Sequence, residues 1–326
     1  MKIVIAGGSG QVGTILARDF HAQHHQVVVL SRNPNPVRTL WQVVVWDGEK
    51  LGDWVEELED ADAVINLAGR SVNCRYNLEN RRAITDSRVK STHVIGEAIA
   101  RASRPPRVWL QASTATIYAH RSDAPNDEAS GILGGSEADV PETWKFSIEV
   151  ARAWERALDE AVSPHTRKVK IRSAMTMSPD RGGIFDTLLG LVRHGLGGKA
   201  GSGRQYVSWM HDQDFIRAIY WLIEHEPLDG PINLAAPNPL PNADFMRVLR
   251  KTWGIRFGLP AGEWMLEVGA RILRTETELI LKSRRVIPGR LLQSGFSFNF
   301  PNWTEAAHDL CSRYTRGSSA SSAGPS

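Results

Sequence analysis

Only two cysteines, Cys74 and Cys311, occur in 326 residues. They cannot build a disulfide framework or a four-ligand zinc site, and they fit a reducing compartment. Long apolar runs are missing too: none approaches the ~18 residues that a membrane span needs. The opening Met1-Lys2-Ile3-Val4-Ile5 passes straight into glycines, without the h-region of a signal peptide. A cytoplasmic location and no membrane partner are the expectation. Charge of one sign is scarce as well. The 39 Lys and Arg exceed the 36 Asp and Glu by +3, spread along the chain, which gives no reason to expect nucleic acid. No G-x-S-x-G elbow of a hydrolase occurs, and no internal repeat. What remains is an ordinary globular composition, 42% hydrophobic and 23% charged, with material for a large core.

The first half alternates short β-rich runs with helical patterns. Ile3-Val4-Ile5, Val27-Val28-Val29-Leu30, Val43-Val44-Val45, Ala63-Val64-Ile65, Val108-Trp109-Leu110 and Val169-Lys170-Ile171 read as strands. Helical stripes run through Val12, Ile15, Leu16 and Phe20, through Val94 to Ala102, and through Phe146 to Ala161. Strands alternating with helices predict an α/β fold with a doubly wound parallel sheet. After about residue 178 the rhythm loosens into glycine-rich turns, and further helical patterns fall near 243–253 and 262–273. The expected organisation is a nucleotide-binding domain over 1–230, a smaller C-terminal lobe over 231–316, and a disordered tail over 317–326.

The chemistry starts at Gly7-Gly8-Ser9-Gly10-Gln11-Val12-Gly13, between the first strand and the first helix. In that context the glycines read as a dinucleotide loop. Gly8 is expected to permit the tight turn, Gly10 to let the backbone approach a pyrophosphate, and Gly13 to pack helix on strand. The helix N-terminus offers free N–H groups to the phosphates. An NAD site usually ends its second strand with a carboxylate, but here Ser31-Arg32 stands there. Arg32, with Ser31 as a second donor, suits a 2′-phosphate, so NADP is expected rather than NAD.

Together with this loop, several further segments carry a resemblance. They are Ile65-Asn66-Leu67-Ala68-Gly69, Ser87-Arg88, Ser113 to Tyr118, Trp154-Glu155, Gly201 to Gln205 and Trp209-Met210-His211. Near the C-terminus, Arg285 to Leu291 and Gly295-Phe296 extend it. In this order they resemble the short-chain dehydrogenase/reductase superfamily in its extended, epimerase-like form. The likeness is to an atypical subgroup, the NAD(P)-dependent epimerase family proteins of unknown substrate, with a small C-terminal module. The resemblance implies a Rossmann fold in which Asn66, Leu67, Ala68 and Gly69 line the adenosine and ribose side of the cofactor. Arg88 stands where the wider superfamily has Asn, and would reach a cofactor phosphate or ribose. Ser113 would be the substrate-polarising hydroxyl, with Thr114 one register step away.

The same resemblance exposes a departure. The superfamily uses a Tyr and a Lys four residues later on one helix face, the lysine lowering the tyrosine pKa. In the subgroup's register Ser147 and Ala151 occupy those places. Lys145 lies about 200° around the helix from Ser147 and points elsewhere. The proton is then expected from Tyr118, His211 or water, making Ser113, Tyr118 and His211 the catalytic candidates. Val207 stands where nucleotide-sugar epimerases hold substrate phosphate with an Arg, which argues against a nucleotide sugar; Arg204 is an alternative anion contact.

Other signals carry less. His21, His24 and His25 have no third metal ligand in view, so no metal is expected. Gly198-Lys199 lacks the Ser/Thr of a P-loop. Lys282, Arg284, Arg285 and Arg290 lack interleaved aromatics and are read as a solvated or salt-bridged face. Two functions follow. One is an NADP-dependent oxidoreductase or epimerase-like enzyme acting on a small polar molecule. The other is a non-catalytic NADP-binding protein that regulates or meets a partner. Monomer and homodimer stay open.

Overall fold

The computed structural model describes residues 1–33, 39–137, 140–262 and 278–322. In chain order the strands are β1 (Lys2–Ala6), β2 (Gln26–Ser31), β3 (Gln42–Val45), β4 (Ala63–Asn66), β5 (Val108–Thr114), β6 (Arg167–Ser173), β7 (Met175–Met177), β8 (Tyr206–Val207), β9 (Trp209–His211), β10 (Gly230–Leu234) and β11 (Leu240–Pro241). The helices are α1 (Gln11–Ala22), α2 (Leu78–Arg101), α3 (Glu142–Glu160), α4 (Ile184–Arg193), α5 (Asp212–Glu224) and α6 (Asn242–Trp253). After the undescribed stretch come α7 (Glu278–Leu281), α8 (Gly289–Gln293) and α9 (Trp303–Ser322).

Seven strands form one sheet in the order β10-β6-β5-β4-β1-β2-β3. Pairing from β3 through β6 is parallel, with Ile3 opposite both Val27 and Ala63, and Ala63 opposite Val108. The order reverses between β1 and β4, which is where doubly wound sheets bind their ligands, beyond the strands' C-terminal ends. Ile3, Val4, Ile5 and Ala6 are fully buried. That explains why these strands are continuous apolar runs rather than alternating ones: helices cover both faces. One face packs Val4, Val28, Val64 and Trp109 against Leu58, Ile95 and Ile99. α3 is amphipathic in the expected register, burying Phe146, Val150, Ala151, Trp154 and Leu158.

The chain divides into two compact units that alternate along the sequence. One comprises 1–117, 133–173 and 216–233; the other comprises 118–132, 174–215 and 234–326. This differs from a single cut at residue 230. The chain leaves the first unit three times, just after β5, just after β6 and at the end of β10. The second unit has its own core of Phe185, Leu189, Trp209, Phe245, Trp303 and Leu310. In it β7 pairs with β9 and β8 with β11.

One expectation at the C-terminal end changes. Helix α9 continues to Ser322, so the tail expected from 317 is helical as far as that residue. Trp303, Leu310 and Tyr314 bury the helix's early turns, and extension of a nucleated helix adds one hydrogen bond per residue. The helical pattern at 262–273 lies, beyond its first residue, outside the described residues. Of the basic group expected as a solvated or salt-bridged face, Arg284 pairs with Glu278 at 3.7 Å, Lys282 is buried, and the Arg285 guanidinium lies 4.5 Å from the Tyr206 ring centroid.

Candidate functional site

The glycine loop joins β1 to α1, and its glycines divide into two kinds. Gly7 has φ +70°, and a Cβ there would fall 2.6 Å from the Ala68 Cα. The left-handed turn thus belongs to Gly7 and not to Gly8 as expected. At Gly13 a Cβ would fall 2.4 Å from the Gly8 Cα, so α1 packs directly on the loop. Gly10 is different. A Cβ there would meet nothing nearer than the Gly7 carbonyl oxygen at 3.9 Å. No packing inside the protein requires a glycine at 10, and its backbone is exposed.

Gly10 is also the N-cap of α1, with no side-chain cap and no acidic residue in the first turn. The first N–H groups of the helix therefore face outward with the positive end of its dipole. Beside them the Gln11 amide nitrogen, Nε2, is buried with no hydrogen-bond partner. An exposed Ser9, half-buried Gln11 and Val12, and buried Gly13 complete the loop. Such a cradle suits a phosphate diester.

At the end of β2, Arg32 is exposed and makes no hydrogen bond or ion pair among the described residues. Ser31 is buried, and its hydroxyl donates to the Asn33 carbonyl at 2.9 Å. Its proton shapes the turn, which corrects the expectation of a second phosphate donor. Asn66 is likewise an internal strut. Its Oδ1 accepts from the Ala68 N–H at 3.0 Å and its Nδ2 donates to Gln111 Oε1 at 3.0 Å. Leu67 extends the β1–β4 ladder by donating to Ala6 at 2.9 Å, leaving Ala68 and Gly69 to line the opening.

Arg88 leans onto Gly69, where a Cβ would come within 3.1 Å of the guanidinium carbon. Its Nη1 donates to the carbonyls of Arg70 and Ile84, both at 3.0 Å. The guanidinium lies 5.0 Å from the Trp154 ring centroid. Burial pushes its pKa down to about 10, and no carboxylate pairs with it among the described residues. The chain of contacts Gly7, Ala68, Gly69, Arg88 and Trp154 runs from the glycine loop to α3 inside the first unit.

The three catalytic candidates divide between the two units, Ser113 in the first and Tyr118 and His211 in the second. The Ser113 hydroxyl donates to Glu155 Oε1 at 2.7 Å, and Arg172 grips the same carboxylate with Nε and Nη2, each at 2.8 Å. All three residues are buried, so Ser113 faces a closed ion pair rather than an opening. Neighbouring Thr114 points the other way across the strand. It is half-buried, accepts from the Thr116 N–H at 3.1 Å, and has no acceptor for its own proton among the described residues. Tyr118 belongs to the second unit and is buried, its ring filling the space left by Gly131.

His211 is fully buried in that unit, stacked 3.8 Å from the Phe300 ring. Its Nε2 meets Asp309 Oδ2 at 3.0 Å, while Nδ1 accepts from the Gln213 N–H at 3.2 Å. Arg313 bridges Asp212 and Asp309 beside it. Burial lowers the His211 pKa. Both ring nitrogens of His211 are thus engaged inside the second unit. On α3, Ala151 is fully buried and Ser147 half-buried. Sequence reasoning missed the Glu155–Arg172 pair. The available signal was Glu155 standing four residues after Ala151, on a face otherwise apolar.

With this geometry in hand, the relatives are informative. A model of the NAD dependent epimerase/dehydratase family matches residues 3–134, and a domain of unknown function, DUF1731, matches 262–310. The bovine epimerase family protein SDR39U1 is 30% identical over 314 residues, covering 95% of this chain and 99% of that relative. The chain belongs to the epimerase family. An epimerase family protein of Staphylococcus epidermidis is 30% identical over 312 residues, covering 95% of this chain and 98% of that protein. The solved structure of the human epimerase family protein SDR39U1 (isoform 2), determined with NADPH, superposes with a TM-score of 0.81 at 28% identity. It spans 95% of this chain and 99% of that one. Membership in the epimerase family agrees with the resemblance read from the loop, the β4 end and the C-terminal segments. Among the described residues no helix is long and apolar enough to cross a membrane.

Proposed function

We propose that this protein is an NADP-dependent oxidoreductase or epimerase-like enzyme that acts on a small polar substrate. The observation that carries the reading is the loop itself: an uncapped helix N-terminus at a Gly10 that no packing among the described residues requires, with Arg32 at the end of β2 making no bond among those residues. The human relative's NADPH supports the same cofactor. The backbone N–H groups of Gln11 and Val12 would hold the pyrophosphate, and Arg32 the 2′-phosphate. When bound, the nicotinamide supplies a hydride donor or acceptor. Thr114, not Ser113, is the hydroxyl free to polarise a substrate oxygen, because its proton is uncommitted. No Tyr–Lys pair assists it, so a proton would reach the substrate through water.

Titration calorimetry with NADPH and NADH on wild type and Arg32→Ala tests the reading. Removing Arg32 should weaken NADPH by ~1–3 kcal/mol and leave NADH nearly unchanged. Equal losses for both nucleotides would refute the role of Arg32, and failure of the wild type to bind either would refute the site. A second reading, a non-catalytic NADP-binding protein, is favoured by Ala151 and by the locked Ser113. Hydride exchange from NADPH to members of a carbonyl panel separates the two.

A further inference from the structure

We propose that Arg88, laid on the face of Trp154, anchors an anionic group of the substrate, a carboxylate or a phosphate monoester. The proposal rests on the NADP-site reading for its location and on the following geometry for its chemistry. Arg88 uses only Nη1 toward the protein, in two bonds to carbonyls. Its Nε and Nη2, the edge that suits two oxygens of one anion, make no bond among the described residues. Two other arginines of the protein each use two nitrogens on one carboxylate, whereas Arg167 bonds only backbone carbonyls among the described residues. Arg172 takes both oxygens of Glu155, and Arg313 both oxygens of Asp212. Arg88 is half-buried and meets no carboxylate among the described residues, so its Nε and Nη2 edge is open to an anion.

The surroundings are arranged as a receptor. Trp154 is 94% buried, which fixes its ring as a platform, and its indole N–H has no acceptor among the described residues. Gly69 lets the guanidinium come close to the β4 turn, and it is itself exposed, so the cation stands beside an opening. The nearest acidic residue on α2, Asp86, lies 3.8 Å from Lys90 and is two positions away on another side of the helix. Trp154 follows Ser147 by seven residues, about two turns, and so shares its side of α3. That is the side on which the superfamily's reactive pair would stand. Cofactor phosphates are already served by the glycine loop and Arg32, which leaves Arg88 for the substrate.

The test uses the full chain saturated with NADP⁺, titrated with sodium malonate and separately with inorganic phosphate, followed by calorimetry. Arg88→Gln and Arg88→Lys are compared with wild type after circular dichroism confirms folding. Wild type is expected to bind at least one of the two probes saturably, and Arg88→Gln to lose at least tenfold in that affinity while holding NADPH within twofold. Arg88→Lys, which keeps the charge without the planar fork, should fall between them and stands in if the Gln variant does not fold.

If Arg88→Gln weakens NADPH as much as it weakens the anion, the cation serves the cofactor and the proposal is wrong. It is equally wrong if wild type saturates with neither probe, or if the variant binds them as wild type does. Repeating the titration without nucleotide separates the proposals. An anion site that survives where NADPH does not bind would condemn the cofactor reading and leave Arg88 as an anion site.

Discussion

Gly10 and Gly13 lie three residues apart in one loop, yet the structure predicts opposite consequences for adding a methyl group. At Gly13 the methyl would arrive 2.4 Å from the Gly8 Cα and 2.5 Å from its carbonyl oxygen, both backbone atoms that cannot step aside. Helix α1 would have to lift from the loop, and overpacking of this kind costs about 1–3 kcal/mol. At Gly10 the backbone sits at φ −77° and ψ 171°, open to any residue, and the methyl meets nothing within 3.8 Å. Losing a glycine there gains about 0.4–1 kcal/mol from a stiffer unfolded chain. Placing alanine at an N-cap loses an amount of the same order, about 0.5–1 kcal/mol.

The two effects nearly cancel, so Gly10→Ala should unfold in urea within about 0.5 kcal/mol of wild type. Its methyl nevertheless occupies the face through which the backbone is proposed to meet a pyrophosphate, and NADPH affinity should fall at least tenfold. Gly13→Ala should lose both stability and binding. Urea titration and calorimetry on the two variants decide the matter. A Gly10→Ala protein that binds NADPH like wild type would refute the cofactor reading of this loop, whatever its stability.

Glu155→Ala should destabilise the protein by about 3–5 kcal/mol in urea, because Arg172 would remain buried without its carboxylate; a loss under 1 kcal/mol would mean that the pair relaxes into solvent. Thr114→Val should cut any turnover by tenfold or more with NADPH affinity unchanged, while Ser113→Ala should act on stability, by about 1 kcal/mol, and little on turnover; the reverse pattern in kcat would restore Ser113. The pKa of His211 is lowered in the folded state by burial, so below the ordinary value of 6.5 the unfolded chain takes up a proton first. Its contribution to stability is thus full above about pH 6.5 and is lost as pH falls through the folded value. Urea unfolding between pH 5 and 8 should show a slope that His211→Gln flattens, and an unchanged slope would remove the assignment.

Much of the first strand–loop–helix turn was readable because its signals are local. The glycine spacing and the missing carboxylate after β2 concern short segments whose chemistry depends on adjacent backbone, and each falls where the sequence placed it. Gly7 and Gly8 exchanged roles because which glycine goes left-handed depends on Ala68, sixty residues away, pressing on Gly7. Ser113 and Thr114 could not be told apart by sequence, since one register step in a strand turns a side chain to the opposite face. Only the packing of α3 on β5 brings Glu155 to Ser113 and closes that hydroxyl off.

The sequence by itself determined the doubly wound sheet and the glycine turn between its first strand and first helix, because hydrophobic period and residue identity are properties of the chain alone. Tertiary structure decided what each polar group is free to do. It enclosed His211 and Tyr118, satisfied Asn66 and Ser31 from within, and left Arg88, Arg32 and Thr114 with donors unused among the described residues. Whether a donor is free depends on neighbours supplied by distant segments, and only folding brings those together.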